Sequence, residues 1–134
     1  MHTLFFDGCS KGNPGKGGAG AVLYDSEHKE IDICKSYVGD SVTNNMAEYI
    51  GLIIGLEKAV QLGIVDLSVN GDSLLVIRQM KGEYKVNAPS LLPLYKKAKE
   101  LAIAFHTISF SHVYREDNKR ADQLSNEALQ LSFV

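Results

Sequence analysis

The sequence predicts a mixed α/β fold, an antiparallel meander extended by parallel strands and covered by helices on both faces. Three observations carry this reading. Up to Val38 the chain consists of apolar, β-leaning runs separated by turn formers; from Thr43 the apolar period lengthens to that of helices; and beyond Gly63 helices alternate with two further short strand-like runs. A meander followed by such units places the later strands parallel to the first and packs helices against both sides of the sheet.

His2 to Asp7 is the first strand. Leu4-Phe5-Phe6 is the continuous apolar run of a buried central strand, and it stops on a carboxylate followed by Gly8. Gly12-Asn13-Pro14-Gly15-Lys16-Gly17-Gly18 has no periodicity and is saturated with turn formers, which predicts a connector with exposed backbone. Ala19 to Tyr24, a turn at Asp25-Ser26-Glu27-His28, and Ile31 to Val38 complete the meander. Thr43-Asn44-Asn45 offers N-caps to a helix over Met46 to Leu62 that closes at Gly63. Gly51 and Gly55 lower its propensity and are expected to admit a close neighbour; Glu48, expected in its first turn, is a carboxylate in a helix with few other charges. Leu67 to Asn70 is a short strand ended by Gly71-Asp72, and Ser73 to Met80 a compact apolar helix closed by Gly82. A longer helix from about Ser90 to Phe105, a last strand over Thr107 to Val113, a polar loop over Tyr114 to Lys119 and a final helix over Arg120 to Leu131, with Asp122 in its first turn, follow.

No internal repeat, linker or low-complexity tract interrupts this pattern, so residues 1–134 are expected to form a single domain, long enough for a core without disulfide or metal staples. A hydrophobic fraction of 45% and a charged fraction of 22% are those of a globular chain, and the apolar stretches are too short to span a bilayer, which excludes a membrane partner. The start runs straight into a strand pattern without a basic head and apolar region, and Cys9 and Cys34 have no paired spacing; both point to a reducing, cytoplasmic location. A net charge of -2 excludes strong indiscriminate binding to nucleic acid, so any polyanionic substrate is met by local patches.

Open sheets bind ligands beyond the carboxyl ends of their parallel strands, and Asp7 and Asp72 both stand at such ends. Glu48 and Asp122 lie near the starts of helices that can pack over the same edge, so four carboxylates converge. Like charges that close do not all stay ionised at neutral pH without cations among them, and hard oxygen ligands suit magnesium or manganese. Two such ions roughly 4 Å apart stabilise the attacking and leaving oxygens of phosphodiester cleavage. Taken singly, Asp72 could cap a helix and Glu48 and Asp122 could favour helix N-termini electrostatically. Asp7, ending a nearly all-apolar strand, has no capping duty.

Phe6-Asp7-Gly8-Cys9-Ser10-Lys11-Gly12-Asn13-Pro14-Gly15, Thr43-Asn44-Asn45-Met46-Ala47-Glu48, Asp72-Ser73, and Arg115-Glu116-Asp117-Asn118-Lys119-Arg120-Ala121-Asp122 resemble, in order and spacing, the ribonuclease H family of bacterial type. The resemblance covers nearly the whole chain. It implies a ribonuclease H-like fold with a five-stranded mixed sheet, and magnesium-dependent endonucleolytic hydrolysis of the RNA strand of RNA–DNA hybrids, with Asp7, Glu48, Asp72 and Asp122 as the catalytic, metal-binding acids. Two Mg2+ ions with substrate bound, or Mn2+ in their place, and 5′-phosphate ends follow from the same resemblance. Asn13, Asn44 and Asn45 match positions that read the minor groove and its ribose hydroxyls, and Thr43 a position that holds a DNA-strand phosphate. Amides donate and accept, as a 2′-hydroxyl requires, although turn and cap duty also suits these residues.

The chain departs from the family's pattern twice. Many relatives insert a basic, aromatic-bearing lobe after the helix that follows the third acid, whereas Gly82 to Pro93 is short and carries only Lys85. Arg78, Lys81, Lys85, Lys96, Lys97 and Lys99 are candidates for a substitute stripe, with a solvated lysine face as the commoner explanation. Active relatives also often place a mobile histidine in the loop before the fourth acid; here His112 lies slightly early and Arg115 occupies the loop, and either is a candidate for proton transfer or product release. Gly15 to Gly20 satisfies G-x-G-x-x-G, but strand-like Ala21-Val22-Leu23-Tyr24 follows instead of a helix, and no nucleotide cofactor is expected. Cys9 lacks a placed histidine partner and the four histidines lack zinc-ligand spacing. The expected protein is therefore a monomeric ribonuclease H acting on hybrids. A catalytically silent domain of the same fold that binds nucleic acid or protein is the alternative, and a DNA strand-transfer enzyme a third reading, disfavoured by the Asn-rich set.

Overall fold

The structure, a computed structural model, describes residues 1–133; residue 134, the last of the expected domain, lies outside them. The strands are β1 (His2–Gly12), β2 (Gly15–Tyr24), β3 (Glu30–Val42), β4 (Asp66–Gly71) and β5 (Thr107–His112), and the helices α1 (Asn44–Gln61), α2 (Leu74–Met80), α3 (Leu92–Ile103) and α4 (Lys119–Ala128). They form a five-stranded sheet of order β3-β2-β1-β4-β5, in which β1-β2 and β2-β3 are antiparallel and β1-β4 and β4-β5 parallel. This is the expected mixed sheet with β1 at its centre.

Helices cover both faces, and the pleat of β2 shows how. A Cβ on Gly20 would meet Leu124 of α4 at 2.6 Å, whereas a Cβ on Gly55 of α1 would meet Ala21 at 3.0 Å. Adjacent strand residues point to opposite faces, so α4 and α1 lie on opposite sides. On the α1 side, Leu4, Phe6, Ala21 and Leu23 of the sheet join Leu52, Leu56, Leu67, Val69, Val76 and Ile77 in the buried core. At roughly 1.5–3 kcal/mol for each fully buried aliphatic side chain, this layer dominates the stabilisation.

The glycine-rich segment differs from the expected connector. β1 and β2 pair continuously from Thr3↔Tyr24 to Gly12↔Gly15, leaving only Asn13 and Pro14, joined by a cis peptide, as the turn. The glycines are there for close packing more than for turning. A Cβ on Gly17 would meet Val42 at 2.1 Å, and one on Gly18 the carbonyl oxygen of Ser125 at 2.2 Å.

α1 begins two residues before the expected Met46, because Thr43 is the residue that caps it, its hydroxyl accepting from the Met46 N–H at 3.1 Å, and it is followed by Gly63 at φ 75. Ser73 caps α2 by accepting from the Val76 N–H at 3.3 Å. α3 starts two residues later than expected, with Pro93 in its first turn, and packs on α1. α4 ends at Ala128, and a 3₁₀ helix (Leu129–Phe133) continues from it in place of the expected regular helix to Leu131.

Candidate active site

Parallel pairing of β1 with β4 ends at Phe6↔Gly71, so Asp7 and Asp72 are the next residues on each strand at one sheet edge. Two glycines bring α1 against that edge. A Cβ on Gly8 would lie 2.1 Å from the Ala47 carbonyl carbon and 2.3 Å from the Glu48 nitrogen, and a Cβ on Gly51 would lie 2.3 Å from the Asp7 carbonyl oxygen. Helix and strand are therefore in backbone contact, and Glu48 accepts a hydrogen bond from the Gly8 N–H through Oε1. Glu48 stands in the second turn of α1, one residue beyond the expected first turn, because the helix already starts at Asn44.

Carboxylate oxygens of Asp7, Glu48 and Asp72 lie within 4.8 Å of one another. Asp7 and Glu48 are only 5% and 6% exposed. Burial pushes the Asp7 carboxyl up to about 7, with the charge of Asp72 and the nearby Asp122 raising it further, while a hydrogen bond with Glu48 opposes the shift. Burial likewise raises Glu48 well above the usual carboxylate range, reinforced by Asp7. Glu48 Oε2 is buried with no hydrogen-bond partner among the described residues. An orphaned carboxylate oxygen beside two further acids, with oxygen donors alone, fits a hard divalent cation.

Asp122, in the first turn of α4, does not belong to that tight triad but lines the same cleft of about 660 Å³. Asn126 one turn on steadies it, donating to Asp122 Oδ1 at 3.3 Å and to its carbonyl at 2.8 Å. The cap explanation of Asp72 falls away, since Ser73 performs that duty. Asn44, Asn45, His112 and Arg115 also line the cleft. His112 is the last residue of β5, its ring edge-on to Tyr114 at 5.7 Å, and Arg115 opens a short 3₁₀ turn (Arg115–Asp117). Asn13 and Thr43 sit behind Asn44: Asn13 Oδ1 accepts from the Asn44 N–H at 3.1 Å, and Thr43 is the cap. Neither is among the residues that line the cleft.

Of the six basic residues near α2 and α3, Arg78, Lys81 and Lys99 have local partners. Arg78 donates to the Tyr84 hydroxyl at 3.0 Å and stacks over its ring, Lys81 pairs with Glu83 at 3.5 Å, and Lys99 reaches the Met80 carbonyl at 3.4 Å.

Two buried polar residues of the site's surroundings escape sequence reasoning. Asn118, 1% exposed, donates to the Phe6 carbonyl at 3.0 Å and so ties the loop before α4 to the strand that carries Asp7. Ser125, fully buried, donates to Asp7 Oδ2 at 3.1 Å. Asn118 offers only the signal of an Asn before a helix; Ser125 offers its place one turn after Asp122 on the same helix face.

The family described as "Reverse transcriptase-like" matches residues 5–128. The bifunctional protein of Mycobacterium tuberculosis is 45% identical over 123 residues, 92% of this chain and 34% of its own length, so the chain spans about a third of that relative. The ribonuclease HI of Caulobacter vibrioides is 32% identical over 141 residues, 96% of this chain and 92% of its own. Among solved structures, LC11-RNase H1 in complex with an RNA/DNA hybrid superposes with a TM-score of 0.92 at 34% identity, covering 100% of both chains.

Proposed function

Since the chain belongs to the ribonuclease H family, we propose that it is a metal-dependent endonuclease that hydrolyses the RNA strand of RNA–DNA hybrids. The observation that carries this is the meeting of Asp7, Glu48 and Asp72 within 4.8 Å where the parallel pairing of β1 and β4 stops, with Glu48 Oε2 left unpartnered among the described residues. The hybrid held by LC11-RNase H1, whose fold this chain shares along its whole length, supports the substrate.

Asp7, Glu48, Asp72 and Asp122 would hold the ions; Asp7 and Glu48 are buried, whereas Asp72 and Asp122 are half-buried, and all four line the cleft. Bound there, two Mg2+ ions, or Mn2+ in their place, would supply activation of water and stabilisation of the departing ribose oxygen, and hydrolysis of the phosphodiester would leave a 5′-phosphate and a 3′-hydroxyl. Asn44 and Asn45 present their amides at the cleft and read the ribose hydroxyls of the minor groove. Asn13 uses its carbonyl on the Asn44 N–H and keeps its amide protons for the substrate. Thr43 accepts from Met46 and keeps its hydroxyl proton for a DNA-strand phosphate. His112 and Arg115, which line the same cleft, serve proton transfer or product release.

The test is cleavage of a labelled RNA–DNA hybrid beside RNA-duplex and DNA-duplex controls, with magnesium, manganese or chelator. Metal-dependent cutting of the hybrid's RNA strand alone is the expected outcome. Absence of cutting with every metal would replace this reading with that of a silent binding domain.

A further inference from the structure

Among the described residues, Ser125 is the hydroxyl that donates to the Asp7 side chain. Its Oγ lies 3.1 Å from Asp7 Oδ2 and 2.9 Å from the Asp122 carbonyl oxygen. A hydroxyl has one proton, and a serine in a helix commonly donates it back to its own helix. Two observations favour Asp7 as the acceptor that matters. The Asp122 carbonyl already receives Asn126 Nδ2 at 2.8 Å, and a carboxylate binds a donor more strongly than a neutral carbonyl does. The backbone is also arranged to bring this side chain in. Gly18 and Gly20 leave no Cβ between β2 and α4: a Cβ on Gly18 would meet the Ser125 carbonyl at 2.2 Å, and one on Gly20 the Ser125 nitrogen at 2.6 Å. Cys9 Sγ, from the other neighbouring strand, reaches the same Ser125 carbonyl at 3.5 Å. The residue is fully buried, so its hydroxyl has no water to turn to.

We propose that Ser125 is a positioning residue for the metal site, its hydroxyl fixing the rotation of the Asp7 carboxylate so that the acid is preset as a ligand. The helix that supplies Asp122 thereby also sets the orientation of Asp7, which lines the same cleft. This rests on the metal-dependent reading above. Partners that orient a ligand typically change metal affinity 10- to 100-fold when removed.

The test compares wild type, Ser125→Ala and Ser125→Thr by titration of Mn2+ into the substrate-free protein, read by electron paramagnetic resonance, alongside the magnesium dependence of hybrid cleavage. Ser125→Ala is expected to weaken Mn2+ binding about tenfold or more and to move the magnesium requirement upward, with KM for hybrid unchanged at saturating magnesium and the circular dichroism spectrum intact. Ser125→Thr, which keeps the hydroxyl, is expected to recover most of the affinity. Should the alanine variant fail to fold, Ser125→Cys, of similar volume but a weak donor, carries the same expectation. Wild-type protein that binds Mn2+, with an alanine or cysteine variant that binds it equally well, overturns this inference alone. Wild-type protein that neither binds Mn2+ nor cuts hybrid overturns the proposed function and this inference with it.

Discussion

Asp7 concentrates opposing demands in one side chain. It is 5% exposed beside two further acids, an arrangement unfavourable for folding unless a cation or a proton intervenes. Replacing it by Asn removes the charge and keeps the shape. We expect Asp7→Asn to abolish metal-dependent cleavage while raising the metal-free melting temperature by a few degrees, roughly 1–2 kcal/mol. A variant that cuts at the wild-type rate would remove Asp7 from the metal site. Asn44 and Asn45 face the cleft without capping the helix, since Thr43 does that. Ala at both positions is therefore expected to reduce discrimination of hybrid over RNA duplex with little change in stability; equal loss of binding to every duplex would assign them a general role.

The contact of α1 with β1 is where element packing sets site geometry. Gly8 and Gly51 let two backbones touch, and any Cβ at Gly8 falls 2.1 Å from the Ala47 carbonyl carbon. Gly8→Ala is expected to force the helix outward, lowering stability by about 1–3 kcal/mol and moving Glu48 off Asp7, so that activity falls with it. Gly63 supplies the control. It sits at φ 75 with open space around it, so Gly63→Ala should lower stability by about 1 kcal/mol and leave turnover unchanged in the same cleavage assay. The element scale also shows where a sequence is legible and where it is not. Gly51 and Gly55 stand inside an otherwise regular helical pattern, so their only economical explanation is a close neighbour, and the neighbour is there. Gly17 and Gly18 stand among other turn formers, and composition alone reads them as loop; that they lie in a strand depends on Val42 and Ser125, residues distant in sequence. The nearness of Asp7 and Asp72 follows from where the parallel pairing of β1 with β4 stops; the chain shows the apolar run that halts at Asp7, but not that β1 runs on to Gly12 against β2. The hydroxyl of Ser125 is not visible in the chain, because a small residue on the buried face of an amphipathic helix looks the same whether it fills space or holds a carboxylate.

At the scale of the whole molecule, the acids come from both layers around the sheet: Glu48 from α1 on one face, Asp122 from α4 on the other, Asp7 from β1 between them and Asp72 from just beyond β4. A cation among them links elements far apart in the chain, so metal binding is coupled to global stability and the coupling depends on pH. The sign follows from Asp7. Its carboxyl titrates near 7 in the metal-free fold against 3.8 unfolded, with Glu48 shifted in the same direction. Between those values the folded state holds a proton that the unfolded chain has released, so raising the pH through this window favours unfolding. Metal-free protein should therefore be more stable near pH 5 than near pH 7.5 as far as these groups decide. Above the window Asp7 is ionised, and a divalent cation meets its charge without competing with its proton. Magnesium at ten times its dissociation constant then contributes about 1.4 kcal/mol, equivalent to roughly 3–6 °C in melting temperature, near pH 8, and distinctly less near pH 5. Thermal melts with chelator and with magnesium across this range check both slopes, and Asp7→Asn should flatten both. A magnesium effect independent of pH and retained in Asp7→Asn would mean that the ion binds elsewhere on the molecule.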